Sequence, residues 1–506
     1  MRLVPAALTG WAVTAAGTVW PVGWAVAVLG VLLAGACGVL LWRADRRRPR
    51  MRAVGAGLLG IGAVGAGFGV AIALRTDAVR DHAVTAAFGT VVRVTVTPRE
   101  NAVSVGGGRV VFPATLQRVG AQQISGRVVV FARALDFGEL MAGRPAEFRA
   151  RITPPARHDL TIAVLNATGE PTFGRAGAVS RAAHAVRGRF AAAARDALPA
   201  DRAALLPALV LGDTSAVTAV TRREFRVAGL THLTAVSGAN VTIVCGAALF
   251  SARWLGPRAA VGLAAAALTV FVVVVQPTAS VLRAAVMGAI ALLGVVSSRR
   301  RQAVPALSAT VLGLLAVAPQ LAVDVGFALS VVATAALVVI APIWSRRLVA
   351  HGWPKPLADA LAIAWAAQLV TAPLVAGISG RLSLVAAAAN LAAATVIAPI
   401  TVLGSAAAAL CVCWPVGAHL LIRFTGPELW WVSAVAHWSA SVPAASVPVP
   451  SGPPGVFGVG SAAALIVALW RWRWCRAVTG WVVVVGLACV VSWSLSGLLA
   501  PTSGSF

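Results

Sequence analysis

Apolar runs of bilayer-spanning length follow one another through most of this chain, and that excludes an ordinary soluble core. In lipid, every backbone N–H and C=O must be satisfied within the protein, so each run has to be a helix or a strand of a closed barrel. Runs near 3–20, 22–41, 53–74, 230–250, 259–275, 279–297, 304–321, 326–343, 357–378, 384–413, 455–470 and 479–499 are too long for strands. They predict a polytopic α-helical membrane protein with about 11–12 transmembrane helices. The segment 384–413 is expected to fold back at Pro399, and an irregular Pro- and Trp-rich stretch is expected to follow it. Charged residues make up 11% of the chain, against about 25% in soluble domains.

The few charges are mostly positive. Lysine and arginine number 42 against 16 acidic residues, and Lys355 is the sole lysine. Six arginines crowd the loop from Arg43 to Arg52, which the positive-inside rule assigns to the cytoplasm. Arg253 and Arg258, Arg299 to Arg301, Arg346 and Arg347 with Lys355, and Arg471, Arg473 and Arg476 fall on that same side. The N-terminus is therefore expected in the cytoplasm, on an uncleaved anchor of a multi-pass protein of the cytoplasmic membrane. A net charge of +26 exceeds what orientation requires. It points to an anionic partner, either nucleic acid or the lipid surface.

Between Arg75 and Ala203 the pattern changes. Short β-branched runs at 90–96, 109–112, 126–133 and 146–152 are separated by breaks such as Gly106 to Gly108, the signature of a small antiparallel barrel. About five strands fit an OB-like barrel, a fold that often takes single-stranded nucleic acid. The region has 18 arginines against 10 acidic residues, which suits either nucleic-acid binding or an ordinary solvated surface. Three preceding spans put it outside the cell. Val179, Ala183, Val186, Phe190, Ala194 and Leu198 then mark one face of an amphipathic helix, with Arg181, Arg187 and Arg195 on other faces. That helix is expected either on the outer membrane surface or packed on the barrel. The division reads as N-terminal helices 1–74, extracytoplasmic OB-like domain 75–175, helical connector 176–227 and membrane domain 228–500.

The membrane domain opens on a polar stretch, Ala228 to Val244, that contains His232, Thr234, Ser237, Asn240 and Thr242. Polar groups in a span are expensive unless partnered or facing water. On one continuous helix His232 and Asn240 share a face, while Ser237 sits roughly 140° from His232. A His–Ser dyad therefore needs a break at Ser237-Gly238, and no acidic third member is near. Pore lining and a hydrogen-bonding seam between helices both remain open. Arg283 and Asp324 fall near the outer ends of two spans and are expected either to pair or, for Arg283, to meet a phosphate. Gln276, Gln368 and Asn390 are further intramembrane polar groups, and Pro277, Pro373 and Pro399 predict kinks. Cys411 and Cys413 lack the companions of a zinc site, so no metal or cofactor is expected. No Gly-x4-Gly-Lys motif is present to bind a nucleotide.

Four blocks resemble the ComEC-type competence family. They are Gly212-Asp-Thr-Ser215 with Gly229-Leu-Thr-His-Leu-Thr-Ala-Val-Ser-Gly238, then Ser280-Val-Leu-Arg-Ala-Ala-Val-Met287. Asp324-Val-Gly-Phe-Ala-Leu-Ser330 and Ala389-Asn-Leu391 with Pro399 complete the set, in the family's order. Asn240 stands where many members have histidine, and the outer domain lacks the cysteines that some members pair. The seven histidines contain no His-x-His-x-Asp-His run, the mark of the metallo-β-lactamase-like domain that ends many members. The resemblance implies a non-enzymatic channel carrying transforming single-stranded DNA inward. A separate DNA receptor, nuclease and motor protein are expected to supply capture, strand degradation and drive. His232, Ser237, Gly238, Asn240, Arg283, Asp324 and Asn390 are the candidates for the DNA path. A transporter or flippase for another anionic envelope substrate is the alternative reading.

Overall fold

The computed structural model describes residues 3–43, 49–138, 140–156, 159–236, 238–275, 279–296 and 303–469. It begins with α1 (Leu3–Val19), α2 (Gly23–Arg43) and α3 (Pro49–Arg80). Glycine lets α2 and α3 touch backbone to backbone. A methyl on Gly30 would lie 2.5 Å from the Ala66 nitrogen, and one on Gly69 would lie 2.8 Å from the Ala27 nitrogen. Small residues at such contacts are the usual means of packing helices in lipid, where no hydrophobic drive separates helix from solvent.

The strands are β1 (Val91–Pro98), β2 (Val103–Gly106), β3 (Arg109–Val119), β4 (Gln122–Arg133), β5 (Ala146–Thr153) and β6 (Ala163–Phe173). β1 pairs with both β3 and β5, so the order β1-β5-β6-β4-β3 closes into a five-stranded ring with β2 on the edge of β3. β4 and β6 run parallel and the other pairs antiparallel, the arrangement of an OB barrel. Alternation drives this closure: Val94, Val96, Phe112, Leu116, Val130, Phe148, Ile152 and Leu165 form the buried core. Neither the short edge strand β2 nor β6 is among the runs read from the sequence. In β6, Asn166, Thr168, Gly169 and Glu170 interrupt any apolar alternation, and pairing to β5 along its length holds it in place.

Next come α4 (Ala178–Ala197), α5 (Ala200–Leu211) and α6 (Ala219–Val227), then α7 (Gly238–Ser251), α8 (Pro257–Val275), α9 (Ala279–Val296) and α10 (Ala303–Val317). The remainder is α11 (Val325–Val339), α12 (Ala341–Ala350), α13 (Lys355–Ser379), β7 (Arg381–Ser383), α14 (Ala386–Cys413), α15 (Pro415–Phe424), α16 (Gly426–Ser441), β8 (Ser446–Pro448) and α17 (Pro453–Leu469). Six helical stretches among the described residues are long and apolar enough to cross a membrane, and five shorter apolar helices accompany them. The expected span at 479–499 lies outside the described residues. The protein is thus a multi-pass membrane protein with an OB-like barrel.

Three expectations need correction. α14 runs unbroken through Pro399, because a proline costs one backbone bond that neighbouring groups in a packed membrane bundle can tolerate. The Pro- and Trp-rich stretch contains two helices, α15 and α16, each opening with a proline in its first turn, where the missing N–H is no loss. α4 is not a free surface helix with all its arginines outward. It packs against α5, α8 and α15, and Arg187 is buried with Ala183, Phe190 and Ala194.

Contacts divide the chain into two units. One holds residues 1–217, 232–338 and 397–429, and the other 218–231, 339–396 and 430–506. In the second, Trp431 donates from Nε1 to the Ala392 carbonyl at 2.9 Å, and Ser383 donates to the Val227 carbonyl at 2.7 Å.

Candidate functional site

α5 is buried within the first unit: Leu205 through Leu211 are all shielded from solvent. It ends at Gly212, which takes φ +71°, with the N–H groups of Gly212 and Asp213 returning to the carbonyls of Ala208 and Pro207. This Schellman ending diverts the Asp213 N–H from its ladder partner, the Leu209 carbonyl. Asn240 fills that gap, donating from Nδ2 to the Leu209 oxygen at 3.0 Å while itself only 4% exposed. The Gly212-Asp block and the polar stretch are thereby tied together. Of the two options for Asn240, the interhelical seam is the one this contact fits.

Asp213 continues the same knot. Its Oδ1 accepts from Ser215 N and Oγ at 3.2 and 2.7 Å, and its Oδ2 lies 3.6 Å from Nη2 of Arg187. Nη1 of Arg187 reaches the Val274 and Val275 carbonyls, at 3.4 and 3.3 Å. A cation at the C-terminal end of α8 complements that helix's dipole. Burial lowers the pKa of the Arg187 guanidinium, and the Asp213 carboxylate pushes it back up.

Arg283 is where three of the four sequence blocks meet. It sits on α9 at 5% exposure. Nη1 donates to Thr334 Oγ1 at 2.7 Å and approaches Met287 Sδ at 3.7 Å. Thr334 in turn donates to the Ser330 carbonyl, at the end of the Asp324 block. Nη2 faces Gly238, the first residue of α7, where an added Cβ would sit 3.4 Å away. Nε is buried and has no partner. Among the described residues no carboxylate forms an ion pair with Arg283.

The expected Arg283–Asp324 pair is therefore absent. Asp324 instead caps α11: its backbone is extended and Oδ1 accepts from the Phe327 N–H at 2.6 Å. The cap sets Phe327 at the start of the helix, where it is fully buried and meets Trp11 edge-on at 5.4 Å. A carboxylate held by its own helix start satisfies both the backbone and the dipole.

His232 is also placed differently from the expectation. Gly229, at φ +72°, ends α6, and Leu230 returns its N–H to the Phe225 carbonyl. The chain then makes a short 3-10 turn, Thr231–Leu233, with His232 exposed, before α7 starts at Gly238. His232 and Asn240 thus do not share a helical face. Ser237, Gln276 and Pro277 lie outside the described residues. Asn390 is on α14 with Oδ1 buried and unpartnered. Among the described residues no three His, Cys, Asp or Glu side chains come together as a metal set.

Arg187 and Thr334 were missed from the sequence. Arg187 had a signal in its spacing, since it falls four residues after Ala183 and three before Phe190, on the buried stripe. Thr334 lies one turn beyond Ser330 and reads as an ordinary helix residue.

A family model described as Competence protein matches residues 209–474. No curated protein and no solved structure matches the chain.

Proposed function

The chain belongs to the Competence protein family and so has a role in competence, the uptake of DNA, and we propose that it is the channel through which a single strand passes inward across the cytoplasmic membrane. The observation that carries this reading is Arg283, a buried guanidinium in an apolar helix, beside the first residue of α7 and without a carboxylate partner among the described residues. A buried charge is costly unless compensated. The start of a helix is itself electropositive, so it worsens the imbalance and favours an anion. Phosphate suits the place, because guanidinium offers it paired donors in fixed geometry. Successive phosphates of a strand would then compensate Arg283 in turn, each held briefly.

In this reading the N-terminus faces the cytoplasm and the barrel lies outside. The chain acts as a conduit and performs no bond chemistry. Capture, degradation of the second strand and the driving force come from a separate receptor, nuclease and motor. An interior-negative membrane potential opposes inward movement of phosphates, which is why a motor is needed.

The test is uptake of end-labelled DNA into a nuclease-protected cytoplasmic pool, in a transformable strain lacking its own channel. The wild-type chain is expected to restore uptake. Arg283→Gln is expected to lower it at least about tenfold, a loss of roughly 1.4 kcal/mol, and Arg283→Lys to fall between. A wild-type chain that inserts in the membrane yet restores nothing would overturn the channel. Equal uptake by wild type and Arg283→Gln would remove Arg283 from the path.

A further inference from the structure

The outer face of β1 and β5 carries an arginine patch with one carboxylate partner among the described residues. Arg93 stands opposite Arg149 in register, and Val91 opposite Arg151. On the other side of β1, β3 sets Arg118 opposite Thr95. The alternate residues Val94, Val96, Phe148, Ala150 and Ile152 fill the barrel core, and all four arginines are exposed. Like charges directly opposite one another weaken a sheet, so this pairing works against the barrel's own stability. Among the described residues Glu147 alone relieves it, 3.5 Å from Arg93 Nε. Among the described residues Arg118, Arg149 and Arg151 form no ion pair.

The face that OB barrels usually offer to oligonucleotides is the one formed here by β3 and β4. Two of its arginines have neighbours within the chain, while Arg133 stands opposite Arg109 in register. Arg109 lies over the Phe131 ring at 5.6 Å. Arg127 is half-buried, and that burial, with Arg99 nearby, lowers its pKa against the opposing pull of Asp159, Glu100 and Asp324.

We propose that the β1–β5 face, through Arg93, Arg118, Arg149 and Arg151, binds the phosphodiester backbone of the incoming single strand. This rests on the DNA reading above and assigns it a landing surface. Arg149 and Arg151 are about 7 Å apart along β5, and Arg93 is about 5 Å across from Arg149, so one strand's phosphates can engage several guanidinium groups. The outward neighbours Val91, Thr95, Asn166 and Thr168 include no aromatic ring. Binding is therefore driven by charge, indifferent to sequence and steeply weakened by salt.

The experiment uses the full chain in non-ionic detergent, a fluorescent oligo-dT and anisotropy across a salt series. Arg149→Gln/Arg151→Gln is expected to lower affinity at least tenfold. It should also make the slope of log K against log salt shallower by about 1.4, at about 0.7 per lost phosphate contact on single strands. Arg109→Gln/Arg133→Gln, on the β3–β4 face, is the control and should change both less. All four sites are exposed, and unchanged melting temperatures will verify folding. The reverse ranking of the two double variants would overturn the proposal. So would a β1–β5 variant that keeps DNA affinity but loses binding to phosphatidylglycerol vesicles, which would assign the patch to lipid. If wild-type protein restores cellular uptake but binds no oligo-dT, the surface fails while the channel stands. If oligo-dT binding depends on Arg149 and Arg151 in a chain that restores no uptake, the surface stands and the channel fails.

Discussion

Arg187 and Asp213 form an ion pair in which the guanidinium is only 6% exposed, so that α4 is fastened both to the end of α5 and, through two carbonyls, to the end of α8. The same helix reaches the barrel side, where His184 Nε2 lies 2.9 Å from the Ala142 carbonyl. α4 is thus a strut between barrel and membrane helices. Asp213→Ala strands a buried cation, a change that costs about 3–5 kcal/mol. Arg187→Met/Asp213→Ala removes both charges and keeps apolar volume, so it is expected to melt above the single Asp213→Ala variant. Thermal unfolding of the detergent-solubilised protein checks the order. A double variant no more stable than Asp213→Ala would mean that Arg187 is not the group left stranded.

Asn240 offers a sharper comparison, because its Nδ2 donates to the buried Leu209 carbonyl. Asn240→Leu leaves a buried acceptor unsatisfied and should cost about 1–3 kcal/mol. Asn240→Asp should cost at least as much, since a carboxylate repels the carbonyl. Asn240→His retains an N–H and is expected to be the mildest of the three. The measurement is again the melting temperature, and equal melting of all three variants would discount the bond.

Much of this architecture could be read from the sequence. The apolar runs gave the spans, because lipid demands internally bonded helices, and alternation gave four of the barrel strands. The fifth strand of the ring, β6, was hidden by its polar residues, since parallel pairing with β4 and antiparallel pairing with β5 hold it where no alternation does. At the candidate site, the residue types were legible but the partners were not. Arg283 and Asp324 were both visible as intramembrane charges, and charge alone suggested joining them. That Asp324 would be satisfied by its own helix start, and that Arg283 would donate to a threonine 51 residues away, depends on where helices begin, which periodicity locates poorly. His232 illustrates the same limit: after the left-handed Gly229 it lies in a short turn, and the helix starts only at Gly238.

That glycine yields a prediction of its own. Gly229 combines φ +72° with a close approach in which an added methyl would lie 2.4 Å from Cβ of Ala386. Gly229→Ala meets two penalties, a left-handed backbone that costs an L-residue roughly 1–2 kcal/mol and a steric clash. Ala386→Gly placed in that background removes the clash and leaves the backbone strain. Partial recovery of melting temperature is therefore expected. Full recovery would indicate that only the contact matters, and no recovery that only the backbone does.

The capping role of Asp324 separates it from Arg283 in a way that a charge swap can read. If the two paired, Arg283→Asp/Asp324→Arg would restore what each single change loses. Because Asp324 accepts from the Phe327 N–H instead, the swap puts a cation at the electropositive start of α11 and a carboxylate where Thr334 received a donor. It should be at least as damaging as the worse single variant, in both melting temperature and uptake. Asp324→Asn keeps an accepting oxygen for the cap, since asparagine caps nearly as well as aspartate, while Asp324→Ala should lose about 0.5–2 kcal/mol. An Asp324→Asn protein that melts like Asp324→Ala would show that the charge matters more than the cap. Recovery of uptake by the swap would restore the ion pair that the geometry denies.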